Sequence, residues 1–536
     1  MTGAELFAAE LRRQGVSWIS TLCGNGLNSI LAGCRRAGIR LVDTRNEQAA
    51  AYMAEGWGRL TRQVGVCAVS SGVAHANALT GVLNAHFDGA PMLLVTGAGP
   101  VRTAGSGHFQ DLDHVALAAP LCKYARQIDV PERIPEFVAQ AFAAALSGRP
   151  GPVHLTFPMD VQDAVVDEAR LPRPAAPAAC TRMAPEPGLL AEAGALLARA
   201  ERPLIVAGSG AYYADAAAAL ERFVAAHDVP VAVPIWDRGA VPHALPQFMG
   251  VLGAASGGPR LLADADLLLL LGAACDYRVG GLQPPAVSPD ARILRVDVDP
   301  TRLHTGPADL AIPADPRSFL EALEPISLPR YDAWLAEAQR RRREFRARVA
   351  AAAPRERLHA VHILEALQET LSEDAVFLID GGSIGQWYHQ LLCDRYPGHN
   401  LTCGASAVIG YGIPGAMAAR LAYPDRPVVL LSGDGSMTFT LAELECAARQ
   451  RLPFVAIVAD DQAWGIVAVA HQEVYGEPLA SRLGPLRFDL VAEGFGARGV
   501  RVSRPEEIAP AIREALSADL PTVIHVPIAG GFPSAG

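Results

Sequence analysis

The chain has 536 residues, which exceeds the size of one domain and favours three or four. Half of the residues are hydrophobic and 19% are charged, a globular composition that excludes a disordered, collagen-like or coiled-coil protein. The net charge is −10 and the sequence has no basic block, which argues against nucleic acid as a general partner.

The first part of the chain, residues 1–165, alternates short apolar runs with amphipathic stretches. This pattern is typical of parallel strands joined by crossover helices. The predicted strands are Gly65–Ser70, Met92–Thr96 and Val153–Phe157. The proline-rich stretch Leu171–Pro177 then predicts a linker.

Two further units show the same pattern. The second, residues 187–327, has predicted strands at Pro203–Ala207, Ala265–Ala273 and Ile293–Asp299. An arginine-rich helix around Arg340–Arg348 separates it from the third unit, residues 356–536. The strands predicted in the third unit are Ala375–Ile379, Val428–Leu431, Pro453–Ala459 and Thr522–Pro527. We therefore predict an α/β fold with three doubly wound parallel-sheet domains.

The ends of two strands in the third unit carry the most informative motif. Gly433-Asp434-Gly435 follows one strand, and Asp460-Asp461 ends the next. Two glycines around an aspartate let backbone amides approach a bulky anion, although a lone motif of this kind is also typical of a surface turn. Because neighbouring parallel strands end at one edge of the sheet, Asp434 and Asp461 can bind one ion. The pattern favours Mg²⁺ bound by few carboxylates and a phosphate.

This pair of motifs resembles the signature of the thiamine-diphosphate enzymes, in which Gly-Asp-Gly precedes Asn-Asn by one strand–helix–strand unit. The resemblance implies thiamine diphosphate as the cofactor and a Mg²⁺ ion bound by Asp434, Asp461 and the backbone carbonyl of Ala463. Asp461 stands where asparagine is usual and adds a negative charge beside the diphosphate. We therefore expect an altered cofactor affinity or metal preference.

The first unit resembles the other half of that signature. Asp43–Ala50 (DTRNEQAA) is similar to the family segment RHEQ-A-A, whose glutamate would be Glu47. The resemblance implies that Glu47 hydrogen-bonds the aminopyrimidine ring and promotes loss of the thiazolium C2 proton, which requires a carboxyl kept protonated by burial. Taken alone, Glu47 could simply favour a helix N-terminus. Phe109 and Gln110 stand at the family's FQE site, near the reacting carbon.

Further residues implied by the resemblance lie in the third unit. Ile409–Pro414 is similar to MGFGLP, so Ile409 would wedge the cofactor into its bent shape, and the amides of Asp380–Ser383 would bind the diphosphate. The implied catalytic residues are Glu47, Gln110 and Phe109. The implied cofactor-binding residues are Glu47, Gly382, Ser383, Ala407, Ile409, Gly433, Asp434, Gly435 and Ser436.

The second unit resembles the central domain of acetolactate synthase and its relatives, some of which bind FAD or ADP there. The similar segments are Glu201–Gly210 and Ile293–Pro300. Gly272–Arg278 departs from the family's GxRxD pattern because Ala274 replaces the arginine. Bound FAD is therefore possible but not favoured.

The reaction is less closely defined by the residues. The loop Gln462–His471 lacks the arginine of the acetolactate synthase pattern GMVRQWQ, and Asp461–Gly465 and Asp113–Pro120 are similar to NQSWG and DQVAMAAP of benzaldehyde lyase. That lyase has a histidine where this chain has Gly26 and a tryptophan in place of Met159. Our first choice is an acetolactate-synthase-like carboligase acting on a 2-keto acid. The alternatives are a benzaldehyde-lyase-like acyloin lyase or 2-keto-acid decarboxylase acting on keto acids or aldehydes, and, more remotely, a non-catalytic cofactor-binding homologue.

Two histidines, His75 and His108, are candidates to replace the missing base of that lyase, although a lone histidine is more often structural. The spelling RNEQAA also occurs in acyl-CoA lyases, whose C-terminal lid we expect to have little room after the last predicted strand.

The residues also bear on assembly and location. In the family, the first unit of one chain faces the third unit of another, so we expect a homo-oligomer, either a dimer or a tetramer. The nine cysteines form no CxxC pair, and the most apolar stretch, Leu267–Ala274, is too short to cross a bilayer. No signal peptide is recognisable at Met1. We expect a cytoplasmic protein with no membrane partner.

Overall fold

Three six-stranded sheets, one for each unit of the sequence, organise the chain, and every pairing within them is parallel. This computed structural model describes residues 1–171, 176–178, 182–237, 239–253, 259–353 and 355–530. Helices cover the sheets, so the central strands are buried on both faces and consist almost entirely of apolar residues. The predicted α/β fold of three doubly wound parallel sheets is confirmed.

The first sheet has the strand order β2-β1-β3-β4-β6-β5. Its strands are β1 (Trp18–Leu22), β2 (Arg40–Asp43), β3 (Gly65–Val69), β4 (Met92–Ala98), β5 (Tyr124–Gln127) and β6 (Pro152–Pro158). Its helices are α1 (Gly3–Arg13), α2 (Asn28–Arg36), α3 (Glu47–Thr61), α4 (Val73–Asp88), α5 (His114–Ala118), α6 (Ile134–Leu146) and α7 (Met159–Asp163). Of the predicted linker Leu171–Pro177, residues 172–175 lie outside the described residues.

The second sheet has the order β12-β11-β10-β7-β8-β9, which reverses direction between β7 and β10. Its strands are β7 (Pro203–Ala207), β8 (Val231–Pro234), β9 (Phe248–Leu252), β10 (Leu267–Leu271), β11 (Arg292–Asp297) and β12 (Leu310–Pro313). Its helices are α8 (Pro187–Arg199), α9 (Ser209–Tyr213), α10 (Ala217–His227), α11 (Pro300–Leu303) and α12 (Pro316–Leu323). The predicted strand at Ala265–Ala273 is shorter in the structure because the Asp266 carboxylate binds the amides of Glu201 and Arg202.

The long arginine-rich helix α13 (Asp332–Ala352) leads to the third sheet, whose order is β14-β13-β15-β16-β18-β17. Its strands are β13 (Val376–Asp380), β14 (Asn400–Thr402), β15 (Val428–Gly433), β16 (Val455–Asp460), β17 (Arg498–Arg501) and β18 (Thr522–Pro527). Its helices are α14 (Ala360–Thr370), α15 (Ser383–Leu391), α16 (Gly412–Ala422), α17 (Asp434–Met437), α18 (Glu443–Arg449), α19 (Gly465–Tyr475), α20 (Phe488–Gly494) and α21 (Ile508–Leu516).

The first and third domains share one hydrophobic core within the chain. Tyr52 and Met53 of α3 pack in the same buried cluster as Met417 and Ala418 of α16. Beside this cluster, the buried Arg59 guanidinium donates a 2.9 Å hydrogen bond to the carbonyl oxygen of Thr402, at the end of β14. The two sheets are therefore held in a fixed relation by their own side chains.

Candidate active site

Three adjacent strands of the third sheet end at one edge and place the predicted motifs together. Strand β15 pairs with β13 and β16, with Asp380 opposite Ser432 and Gly433 opposite Ala459. The loops that begin at Gly381, Asp434 and Asp461 therefore start side by side. The carboxyl edge of a parallel sheet is the usual place for a ligand, and the structure brings the Gly-Asp-Gly motif and the acidic pair to it.

The backbone at this edge is too close-packed for side chains. Gly382 has a φ of 87°, and a Cβ atom added to it would lie 2.7 Å from the Cα atom of Gly433. The Gly433 amide also donates a 3.2 Å hydrogen bond to the carbonyl oxygen of Gly381. Only glycine fits this contact between the two loops.

A cavity of about 340 Å³ opens over these loops. It is lined by eight of the residues predicted from the sequence, namely Gly382, Ala407, Ile409, Gly433, Asp434, Gly435, Ser436 and Ala463. Ser383 and Asp461 are not part of the lining, but the Ser383 hydroxyl donates a 3.4 Å hydrogen bond to the Asp461 carboxylate. The lining also contains Trp236 of the second domain and Trp464, Ile466 and Val467 of the loop after β16.

Asp434, which lines the cavity, lies near the negative charges of two other aspartates. Asp434 is only 4% exposed, and burial together with the charges of Asp461 and Asp460 raises its pKa to about 7. Burial, followed by the charge of Asp460, also raises the pKa of Asp461. A divalent cation would relieve this repulsion. Among the described residues no group of three or more His, Cys, Asp or Glu side chains could hold a metal, so a cation here depends on two carboxylates and backbone or ligand oxygens.

Asp380 has a role that the motif comparison missed. Its buried carboxylate accepts hydrogen bonds from the amides of Gly410 (3.0 Å) and Gly412 (3.0 Å). These amides flank the loop that presents Ile409 to the cavity. Burial raises the pKa of Asp380 to about 7, and the two amide bonds oppose that rise. The position of Asp380 at a strand end could have indicated a functional residue. Its partners could not be predicted, because the amides that it binds lie in a loop about 30 residues later.

Two polar side chains that face the cavity are also absent from the predicted set. Gln386 and His389 lie one turn apart on α15, and both are more than nine-tenths buried. The Gln386 Oε1 and His389 Nδ1 atoms have no hydrogen-bond partner within the described chain. Burial lowers the pKa of His389 to about 4, so its ring is neutral. Such buried polar atoms beside a cavity need a water molecule or a ligand as their partner.

The predicted catalytic residues lie elsewhere in the chain. Glu47 begins α3, is half-buried, and accepts a 3.0 Å hydrogen bond from Asn77. The burial expected of Glu47 is therefore incomplete within a single chain. Phe109 is 66% exposed, and the Gln110 side chain accepts a 2.8 Å hydrogen bond from Ser71. None of the three predicted catalytic residues lines the cavity.

The two histidines considered as substitute bases differ in position. His75 is fully buried, its Nδ1 atom is 2.8 Å from the Thr96 hydroxyl, and burial lowers its pKa to about 3. His75 therefore belongs to the interior, and the hypothesis that it acts as a base in contact with a substrate is wrong within this chain. His108 is half-buried in the loop before Phe109, packed against Gly99.

In the second domain, an ion-pair network lies where the sheet reverses direction. The Arg278 guanidinium is 2.5 Å from Asp237 and 2.8 Å from Asp276, and both Arg278 and Asp237 line a crevice beside the ends of β7 and β10. Such a crevice is the usual nucleotide site of an open α/β sheet. In this chain, the ion pair of Arg278 with Asp237 lines that crevice.

No helix in the described part of the chain is both long and apolar enough to span a membrane.

Three family models match the chain, one for each sheet. They are described as the N-terminal TPP binding domain, the central domain and the C-terminal TPP binding domain of thiamine pyrophosphate enzymes, and they match residues 1–117, 190–323 and 380–526. A probable acetolactate synthase of Mycobacterium bovis is 32% identical, with 98% of this chain and 95% of that protein covered. The acetolactate synthase isozyme 2 large subunit of Escherichia coli is 30% identical, with 98% and 96% covered. A 2-hydroxyacyl-CoA lyase 2 of Danio rerio is 28% identical, with 94% and 87% covered.

Proposed function

Because this chain belongs to the thiamine pyrophosphate enzymes, we propose that it is a thiamine-diphosphate-dependent, acetolactate-synthase-like carboligase that acts on a 2-keto acid. The observation that carries the proposal is the placement of Asp434 and Asp461 at adjacent strand ends, where Asp434 lines a cavity that is also lined by glycines. The like charges of the two carboxylates and the closely packed glycine backbone of the loops fit a cation with a diphosphate.

The residues present can hold both groups. Asp434, Asp461 and the carbonyl oxygen of Ala463 would bind Mg²⁺, and the amides around Gly382 and Gly433 would bind the diphosphate. Ser383, Gly435 and Ser436 would complete the polar wall, and Ala407 and Ile409 would support the cofactor's rings. When bound, thiamine diphosphate supplies a thiazolium carbon that adds to a carbonyl and an electron sink for bond cleavage.

The protein's own contribution to the chemistry comes from the first domain. We assign Glu47 to hold a proton at the pyrimidine ring, and Gln110 and Phe109 to orient the substrate carbonyl and exclude water. Asp380 keeps Ile409 in place through the Gly410 and Gly412 amides.

The separation of Glu47, Phe109 and Gln110 from the cavity supports a shared site between two chains. Exposed apolar side chains occur on both domains, including Val73 and Phe109 on the first and Phe439 and Val474 on the third. We therefore propose a homo-oligomer of at least two chains, in which Glu47 of one chain serves the cavity of another.

A second function, an acyloin lyase or 2-keto-acid decarboxylase like benzaldehyde lyase, is favoured by one observation. Trp464 lines the cavity, and none of the described lining residues is an arginine that could bind a second keto-acid carboxylate. Incubation with pyruvate, benzoylformate and benzoin, followed by product analysis, separates the two. Acetolactate from pyruvate supports the first proposal; aldehyde without acetolactate, or benzaldehyde from benzoin, supports the second.

A test of the enzyme class itself uses Glu47→Gln. We expect the wild type to exchange the C2 proton of the bound cofactor and the variant to exchange it about 100-fold or more slowly. Equal exchange rates, with cofactor bound in both proteins, would instead support the non-catalytic homologue.

We also propose that the enzyme works without a flavin. The Arg278 pairs with Asp237 and Asp276 support this, since they occupy the crevice of the second sheet. The measurement is the flavin absorbance of protein purified from cells: a stoichiometric flavin would contradict the proposal.

The same proposal includes the organisation and location of the chain. We divide it into a pyrimidine-binding domain at residues 1–165, a central domain at 187–327 and a diphosphate- and metal-binding domain at 356–536. Limited proteolysis should cut first between these ranges. The eight cysteines that the structure describes are free thiols, which supports a cytoplasmic location.

A further inference from the structure

A buried histidine of the first domain contacts the loop that supports Gln110. His114, at the start of α5, is 3% exposed, and its Nε2 atom accepts a 2.9 Å hydrogen bond from the amide of Gly72. An acceptor nitrogen carries no proton, so the ring proton is on Nδ1. Burial lowers the pKa of His114 against the opposing charges of Asp113 and Asp111, which keeps the acceptor available at neutral pH.

Gly72 is itself buried, so its amide needs an acceptor inside the protein. Gly72 is the N-cap of α4, and no side chain caps this helix end. A buried amide without a partner costs about 1–3 kcal/mol. The hydrogen bond to His114 therefore fixes the backbone at the point where strand β3 turns into α4.

Gly72 and its neighbour in turn hold Gln110. Gly72 has a φ of 62°, and a Cβ atom added to it would lie 2.8 Å from the Cβ atom of Gln110. The Ser71 hydroxyl donates a 2.8 Å hydrogen bond to the Gln110 side chain. Gln110 itself has a left-handed backbone with a φ of 58°, which a non-glycine residue adopts only when its surroundings impose it.

Two more histidines keep the His114 ring in place. The His75 ring packs against His114 at 5.0 Å and against His154 at 4.8 Å between ring centroids. The Thr96 hydroxyl lies between His75 Nδ1 (2.8 Å) and His154 Nε2 (3.1 Å). The Asp113 carboxylate binds the Ala116 amide at 2.9 Å and caps α5. His114 is thus fixed on the side away from Gly72.

We propose that His114 is a positioning residue that sets the orientation of Gln110 through Gly72 and Ser71. The proposal rests on the proposed function, because it matters for catalysis only if Gln110 orients the substrate. His114 does not itself contact the cavity.

The test compares three variants in full-length protein with cofactor and Mg²⁺. H114L removes the acceptor and should lower kcat about 10-fold without changing cofactor affinity, since displaced catalytic groups cost rate rather than binding. H114Q can still present an acceptor to Gly72 and should stay within about 3-fold of wild type. H86L, at an exposed histidine of α4, is the matched control and should behave as wild type.

A double-mutant cycle with Gln110→Ala separates positioning from a general structural role. If His114 acts through Gln110, adding H114L to Q110A causes no further loss of kcat. A wild-type kcat in H114L, or a further 10-fold loss in the double variant, overturns the proposal. If H114L does not fold, H114N takes its place, because its shorter side chain cannot reach the Gly72 amide.

Exchange of the C2 proton distinguishes this proposal from the proposed function. It depends on Glu47 and the cofactor, so H114L should exchange at the wild-type rate. Absence of exchange in the wild type would reject the proposed function instead.

Discussion

The first and third domains have the same strand order, β2-β1-β3-β4-β6-β5 in one and β14-β13-β15-β16-β18-β17 in the other. Their equivalent strands nevertheless end in different chemistry. Strand β15 continues into Gly433-Asp434-Gly435, whereas β3 continues into Ser70-Ser71-Gly72. Strand β16 continues into Asp461, whereas β4 continues into Gly99. The topology decides where a ligand can bind, and the residues at the strand ends decide which ligand it is.

A second difference concerns which side chains hold the backbone at the carboxyl edge of each sheet. At the third sheet, buried carboxylates bind backbone amides, as Asp380 does for Gly410 and Gly412. At the first sheet, a neutral histidine does so, as His114 does for Gly72.

The largest expected effect comes from removing a negative charge at the carboxyl edge of the third sheet. Asp434→Asn removes one of two carboxylates for the cation, and we expect cofactor affinity in Mg²⁺ to fall by about 100-fold or more. Ser70→Ala, at the equivalent strand end of the first domain, should leave cofactor affinity unchanged. Titration of both variants by circular dichroism measures this. Equal losses would mean that the two edges do not differ in the way described.

A mixture of two inactive variants tests whether each active site combines the first domain of one chain with the third domain of another. Glu47→Gln and Asp434→Asn chains are each expected to be inactive alone. Co-refolded in equal amounts, they should regain about one quarter of wild-type activity, because half of the random dimers contain one intact site of two. Activity is compared with each variant refolded alone. No recovery, despite mixed dimers seen by mass spectrometry, would place both residues in one chain's site.

The contact between Glu443 of the third domain and Arg45 of the first should make the stability of the chain depend on pH. Glu443 of α18 is buried, and its two carboxylate oxygens share one hydrogen bond from the Arg45 amide. Burial raises the pKa of Glu443 from 4.5 to about 7. Since the folded state then holds a proton that the unfolded state releases, stability should fall as pH rises from 4.5 to about 7. Glu443→Gln should remove that component, which is at most about 1.4 kcal/mol per pH unit.

The measurement is the free energy of urea unfolding across this pH range. Glu445→Gln is the matched control two residues away. Arg449 and Arg45 lower the pKa of Glu445 to about 2, so its contribution is lost only at more acidic pH. An unchanged slope in Glu443→Gln would contradict the role assigned to burial.

The smallest effect concerns the residue that departs from the family pattern. Asp461→Asn removes a negative charge beside the diphosphate and relieves the repulsion that acts on Asp434. We expect cofactor affinity in Mg²⁺ to rise by about 3-fold, an increment typical of one partly screened charge. Isothermal titration of the variant against wild type measures it. A weaker affinity would show that the second carboxylate is needed by the metal.

The sequence predicted the parts of this molecule that depend on neighbouring residues. The three sheets follow from the alternation of apolar runs and helices, and Asp434 and Asp461 follow from two motifs at strand ends. The strands Pro203–Ala207 and Thr522–Pro527 have the predicted bounds, while others shift by one or two residues where side chains such as Asp266 cap the pairing.

Contacts between distant segments could not be predicted in the same way. His114 and Gly72 are 42 residues apart and neither belongs to a recognisable pair. Gln386 and His389 share a helix face, but nothing in their spacing indicates which cavity that face borders. The expected burial of Glu47 was wrong for one chain because burial depends on what packs against it. The first and third sheets share a strand order, but this likeness is not visible as a repeat in the amino-acid sequence.

Phe109 is exposed on the first domain, whereas the cavity is formed mainly by the third domain. This separation has a consequence for handling the protein. If each reaction centre is assembled from two chains, mass action limits how far a preparation can be diluted before turnover is lost. Catalytic output per chain would then fall at low concentration while every chain is still folded, and adding inactive Asp434→Asn chains would restore part of it.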